Sequence, residues 1–248
     1  MLYINEEYLM DLMVRMAHHS TAIEGNSLTL GETKSVLIDN YIPRAMDMRE
    51  LHEVLNYKAL MPFFLDSIQK HEKISLPFIR EIHRILCKDA IQGVPGDFKK
   101  VPNMVIGADF EPTPPYQVIP ALENWKLDLD AQIEAAGGDN AKVVETVCRQ
   151  HIHFEHIHPF SDENGRVGRA LMAYTCLLEK KIPVVIPVEQ KKKYISYLNN
   201  NDAAGLSVFA RMLQCFEQNR LSLFQSYSDG LLQVEEPRSS ANEHIHSH

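Results

Sequence analysis

The residues best equipped for chemistry lie together in one run, His158-Pro159-Phe160-Ser161-Asp162-Glu163-Asn164-Gly165-Arg166-Val167-Gly168-Arg169. Asn164-Gly165-Arg166 reads as the opening of a helix. The first backbone N–H groups of a helix have no internal partners, and the helix dipole favours an anion there. Gly165 would let a phosphate approach the backbone closely. Arg166 and Arg169 are spaced to share one helix face a turn from that end. Two guanidinium forks beside free N–H groups make a polyphosphate cradle. Asp162, just before the cradle, could hold a magnesium ion that bridges phosphates. His158 lies on the loop side of the same place, where a neutral imidazole could take a proton from an attacking hydroxyl. A base, a metal ligand and an anion clamp are what phosphoryl-type transfer requires. Each part alone is commonplace: a His before Pro is usually a loop residue, and two arginines one turn apart are usually a solvated face. Their joint occurrence carries the weight.

Other clusters are poorer candidates. His151, His153 and His156 surround Glu155, but with His158 they do not share one helical face, which disfavours a zinc site. His18 and His19 read as the solvent edge of a first helix. The histidines at 244, 246 and 248 lie in a polar end segment and are set aside.

Composition limits the surroundings of this site. The chain has 248 residues, 45% of them apolar and 23% charged, an ordinary soluble balance. A net charge of −8 argues against a broad basic surface for nucleic acid, while leaving room for a local cationic pocket. No apolar run reaches the length of a membrane span, and the N-terminus lacks a secretion signal's basic start and apolar run. Cys87, Cys148, Cys176 and Cys215 are scattered, so reduced thiols in a cytoplasmic protein are the simple expectation.

The elements that must position the cradle are mostly helical. Tyr8, Leu9, Leu12, Met13 and Met16 recur at helical spacing in a first helix that should stop near Gly25-Asn26. A short helix is expected from Leu30 to Tyr41 and a long one from Asp47 to Lys70. Ser75 reads as the N-cap of a helix reaching Cys87, with Pro77 in its first turn. Residues 93–115 are rich in proline and glycine and read as a small β-hairpin, with Val101 to Ile106 as its first strand. Helices are expected at Val118–Ala135, Ala141–Ile157, Arg166–Glu179, Lys191–Asn199 and Ala203–Phe224. The fold class is therefore all-α with a small β-hairpin. An N-terminal extension over 1–45 precedes one helical unit over 46–225, and a polar, disordered tail over 226–248 follows.

The run from His158 to Arg169 resembles the motif of the Fic family, HPFx[D/E]xN[G/K]RxxR. The resemblance implies a helical Fic domain with His158 as general base for a protein hydroxyl and Asp162 as magnesium ligand. It implies that Asn164, Gly165, Arg166 and Arg169 hold the nucleotide phosphates, with Tyr194 and Leu198 either near the adenine or, as helical neighbours, in the core. Phe160 would anchor the loop. Gly165, where the kinase-type members carry lysine, follows the AMP-transferring pattern. Glu163 departs from the motif, since many members carry glycine or alanine there; its carboxylate would weaken phosphate binding unless it pointed outward. The hairpin resembles the family's flap, with Met104, Val105 and Ile106 as the edge that aligns a target chain.

A second segment, Ser20-Thr21-Ala22-Ile23-Glu24-Gly25-Asn26, resembles the family's inhibitory pattern [S/T]xxxE[G/N]. It implies that Glu24 forms a buried, bidentate pair with Arg169 and denies that arginine to the ATP γ-phosphate, Ser20 serving the helix that presents Glu24. The resemblance as a whole implies an autoinhibited protein adenylyltransferase. It would move AMP from Mg-ATP to a Ser, Thr or Tyr hydroxyl of a protein target, itself included. No nucleic acid or membrane partner is expected, and a homodimer is allowed. Other uses of the site are removal of AMP from a modified protein, transfer from another nucleotide, and non-catalytic nucleotide sensing.

Overall fold

The cap residues of the chain act where they stand. Ser75 accepts the N–H of Phe78 at 3.3 Å, Asp139 that of Lys142 at 2.9 Å, and Thr29 and Glu32 close a reciprocal capping box. Gly137, at φ 57°, ends the helix before it in the left-handed conformation that glycine adopts freely. The computed structural model describes residues 5–89, 94–105 and 110–234, with side chains as far as 226. Among them are helices α1 (Glu6–Ile23), α2 (Leu30–Leu37), α3 (Met48–Leu55), α4 (Tyr57–Gln69), α5 (Leu76–Leu86), α6 (Val118–Ala136), α7 (Asn140–Ile157), α8 (Asn164–Leu178), α9 (Lys191–Asn199) and α10 (Ala203–Val234).

The all-α class holds, with four adjustments. The expected helix over 47–70 is two: at Asn56 the ladder is interrupted, and the Asn56 amide donates to the carbonyls of Leu86 and Lys88 at 2.8 Å each, where α5 ends. The second helix stops at Leu37 instead of Tyr41, because the chain turns at Asn40 (φ 53°) and the Tyr41 N–H folds back to Ser35. The last helix passes Phe224 and continues to Val234, so the start of the expected disordered tail is helical; residues 235–248 lie outside the described residues.

The fourth adjustment concerns the hairpin. The described residues of 94–115 form no strand, and Ile106 lies outside the described residues. Their backbone donors go elsewhere: the Lys99 N–H reaches the Pro159 carbonyl at 2.9 Å and the Thr113 N–H reaches His156 at 3.2 Å. These bonds tie the Lys99 arm to the loop after α7 and the Thr113 arm to the last turn of α7, not one arm to the other. Met104 is 87% exposed.

α7 is the centre of the bundle, packed against α6, α8 and α10. α7 and α8 both feed two apolar clusters. Phe154, Ile157, Phe160, Val167, Leu171 and Tyr174 enter one, while Val147, Cys148, Met172 and Cys176 enter the other. The loop joining α7 to α8 is therefore held at both ends by buried side chains. α1 packs against α2, α3, α4, α8 and α10. Arg15 fixes it to α10 through a buried two-pronged pair with Glu217, both contacts at 2.6 Å, and the Tyr8 hydroxyl adds a third bond to Glu217 at 2.7 Å. His18 and His19 are half-buried, not at a solvent edge: His18 Nδ1 meets the Leu28 carbonyl and His19 Nδ1 the Val188 N–H. No helix of the described residues is long and apolar enough to cross a membrane.

Candidate active site

The loop between α7 and α8 owes its shape to Asn164. Its Oδ1 accepts the Phe160 N–H at 2.8 Å, and its Nδ2 donates to the Phe160 carbonyl at 3.0 Å. The side chain thus braces the loop in this structure. Phe160 is fully buried and stacks on His83, ring centroids 3.8 Å apart. His158 ends α7 at φ 48° and Glu163 opens α8 at φ 68°. Left-handed non-glycine residues cost on the order of 1–3 kcal/mol each and persist only where their surroundings over-determine them.

His158 is half-buried. Burial first, and then the positive charge of Lys99, push its imidazole down to about 4, against smaller opposing effects of the Glu155 backbone, Glu24 and Asp162. The ring is therefore neutral at physiological pH, the form a proton acceptor needs. Asp162 is exposed beside it, and its Oδ1 accepts the Glu163 N–H at 2.8 Å.

The two arginines of α8 are both buried and both engaged. Arg169 gives Nε to the Ser20 hydroxyl at 3.0 Å and Nη2 to the Ser20 carbonyl at 2.9 Å and to Glu24 Oε1 at 2.6 Å. Glu24 therefore meets Arg169 across a sequence separation of 145 residues. The pair differs from the expectation in two respects. The contact is single, with Nε and Nη2 also given to Ser20, and the Glu24 side chain is 43% exposed at the mouth of the site. Desolvation pushes the Glu24 carboxyl up, but the charge and hydrogen bond of Arg169 prevail and hold it below the usual carboxylate range. Ser20 thus acts on Arg169 directly, beyond serving its own helix. A methyl group placed on Gly165 would collide with the Glu24 carboxylate. The acid from α1 therefore lies over the first turn of α8, where an incoming anion would sit.

Arg166 is, by the resemblance, one of the two arginines that clamp the phosphates. In this structure it pairs with Glu163 and, at 3.3 Å, with Glu53 of α3. Glu163 does not point outward; it is 6% exposed and turned onto the arginine. Its left-handed backbone directs the side chain back across the first turn. Glu53 also accepts from Asn26 at 2.9 Å, so the loop after α1, α3 and the α8 arginine form one connected polar network. Arg166 Nε and Nη1 are buried without a hydrogen-bond partner among the described residues.

Tyr194, which the resemblance gives to the nucleotide, has its side chain engaged elsewhere in this structure. It is fully buried, bonds His151 Nε2 at 2.7 Å and lies beneath the Arg169 guanidinium, 5.9 Å from ring centroid to Cζ. Leu198 is buried in the same cluster. Glu155, also under Arg169, is pushed up to about 8 by burial and is mostly an uncharged acid at neutral pH. Close packing of α8 on α7 depends on Gly168, where a side chain would strike Glu155 and His151. Two residues without a role in the sequence reading are therefore part of the site: Glu53 and Lys99.

Residues 73–176 match the model of the Fic/DOC family. The chain is 27% identical to the protein adenylyltransferase fic-1 of Caenorhabditis briggsae over 91% of its own length and 45% of the relative's. It is 28% identical to the protein adenylyltransferase Fic of Drosophila virilis over 84% of its length and 41% of that protein's. The chain thus spans less than half the length of these curated relatives. Among solved structures it resembles a Fic domain containing signaling protein from Bacteroides thetaiotaomicron, with TM-score 0.73, 22% identity, and coverage of 89% of this chain and 90% of that one.

Proposed function

We propose that this chain, which carries a Fic/DOC family domain, is an autoinhibited protein adenylyltransferase that moves AMP from ATP to a hydroxyl of a protein target, itself included. The observation that most supports this is the Glu24 carboxylate lying over Gly165 and bonded to Arg169. An acid from a distant helix fills the anion position of a helix N-terminus flanked by a neutral imidazole, so the site is built for a phosphate and closed against one.

In the open site the target hydroxyl oxygen attacks the α-phosphorus, and the bond from that phosphorus to the bridging oxygen of pyrophosphate breaks. His158 takes the hydroxyl proton. The N–H groups of the α8 first turn meet the phosphate oxygens, and Arg169, once released by Glu24, takes the γ-phosphate. Asp162 suits magnesium: an exposed carboxylate beside the cradle, completed by the substrate's own phosphates, is the donor set that this ion accepts. The ion would offset phosphate charge there. The test is transfer of label from α-labelled ATP to protein, absent from γ-labelled ATP.

Asp162→Ala should remove activity and the magnesium dependence of ATP binding together. Calorimetry with and without magnesium measures this, and an undiminished dependence would place the ion elsewhere. Glu163→Gly should act oppositely. Glycine accepts φ 68° without strain, and loss of the carboxylate leaves Arg166 with Glu53 alone. A charge-assisted hydrogen bond regained by phosphate is worth roughly 1.5–3 kcal/mol. ATP should therefore bind about tenfold tighter or better in a Glu24→Gly background. Equal affinities would mean that the Glu163–Arg166 pair opens at no cost.

A further inference from the structure

The segment taken from sequence for the first arm of a hairpin does something else in this fold. Its base is anchored on α5: the Gly96 N–H donates to His83 Nδ1 at 2.7 Å, and Arg80 Nε donates to the Gly96 carbonyl at 2.6 Å. From there it grips the loop that carries His158. The Lys99 N–H donates to the Pro159 carbonyl at 2.9 Å, and the Lys99 ammonium to the Ile157 carbonyl at 3.4 Å and to Asn103 Oδ1 at 2.7 Å. Asn103 Nδ2 donates to the Phe160 carbonyl at 2.8 Å. Carbonyls on both sides of His158 are thereby held by two side chains, and His158 itself sits in the left-handed conformation that needs such restraint. Lys99 is only 4% exposed, and none of the described residues forms an ion pair with it. A lysine is almost never buried so deeply without a partner; here its partners are neutral oxygens around the base.

We propose that Lys99 and Asn103 are positioning residues for the transfer, forming a clamp that fixes the His158 loop and sets a positive charge beneath it. The proposal rests on His158 being the base. The groups facing the imidazole are the Lys99 ammonium, the Glu155 backbone, Glu24 and Asp162; Lys99 is the one cation among them. Burial pushes Lys99 down to about 8, so it is still mostly protonated at neutral pH. A cation there disfavours the imidazolium. Removing it raises the pH below which His158 becomes protonated and inactive.

The experiment measures kcat/KM for AMP transfer from about pH 3.5 to 8 in a Glu24→Gly parent, a range that spans protonation of the imidazole. Lys99→Met should move the acid limb up by about one pH unit, a tenfold change in proton affinity. Its deficit should be largest near pH 4 and be gone by about pH 7. Lys99→Arg, which keeps the charge, should keep the parental limb. A merely structural role would lower the profile in parallel at all pH values, and parallel profiles overturn the tuning half of the proposal. Asn103→Ala, at a half-buried position tolerant of truncation, tests the clamp even if Lys99→Met does not fold. Its kcat should fall about tenfold with KM for ATP unchanged, and a parental kcat overturns the clamp. Parental activity in the His158→Ala variant of the same parent would remove the base itself, and the proposal with it. Loss of activity there, with parental behaviour of the Lys99 and Asn103 variants, would leave the base standing and sink this inference alone.

Discussion

Glu24→Gly should raise AMP transfer about 100-fold, corresponding to about 2.7 kcal/mol released from the closed state. Among the described residues, the hydrogen bonds to Arg169 from outside α8 come from Ser20 of α1 and from Glu24 at its C-terminal end. Removing the carboxylate frees the space over Gly165 and one N–H of the fork. α1 itself stays in place, because Arg15 and Tyr8 still hold it to Glu217. Ser20→Ala should act in the same direction but less: it removes one bond to Arg169, while the Ser20 carbonyl remains as an acceptor. Autolabelling with α-labelled ATP reads both variants. Labelling no better than the parent, on the protein and on lysate proteins alike, would refute autoinhibition. A Glu24→Gly variant that instead loses the ability to strip AMP from a modified protein would make Glu24 a catalytic group for removal.

His158→Ala should abolish transfer in the Glu24→Gly background while leaving ATP binding close to parental. Loss of a general base typically costs ~10²- to 10⁴-fold in rate. The side chain is the neutral imidazole at the mouth of the cradle, and the phosphate-facing groups belong to α8 and do not depend on it. The loop keeps its shape through Asn164 and Phe160. Alanine at φ 48° bears a backbone strain similar to that of histidine. Equal transfer rates, with ATP affinity measured in parallel, would remove His158 from the mechanism.

What the sequence revealed, and what it hid, follows from how local each feature is. Helix positions were legible because caps and apolar spacing are local: Ser75, Gly137 and the spacing of Tyr8, Leu12 and Met16 act within one turn or two. The motif from His158 to Arg169 was legible because its chemistry is contiguous. The meeting of Glu24 with Arg169 came from the family pattern, since no local feature links positions so far apart. Partners within the site were not legible. Glu53 has the type of a surface residue and is buried only because Arg166 and Asn26 converge on it. Asn164 looks like a ligand for phosphate, yet its amide braces Phe160 in this structure. Tyr194 looks available and is sealed under Arg169. The segment over 94–103 has the proline and glycine content of a turn, but its hydrogen bonds close on residues 157–160, a pairing that no short-range pattern encodes.

The most direct measurement is the mass of intact Glu24→Gly protein, and of proteins in an added lysate, after incubation with Mg-ATP. The expected result is addition of one or more AMP groups, weak in the parent and absent when His158→Ala is combined with Glu24→Gly. No adduct on any protein, or addition of phosphate in place of AMP, would contradict it.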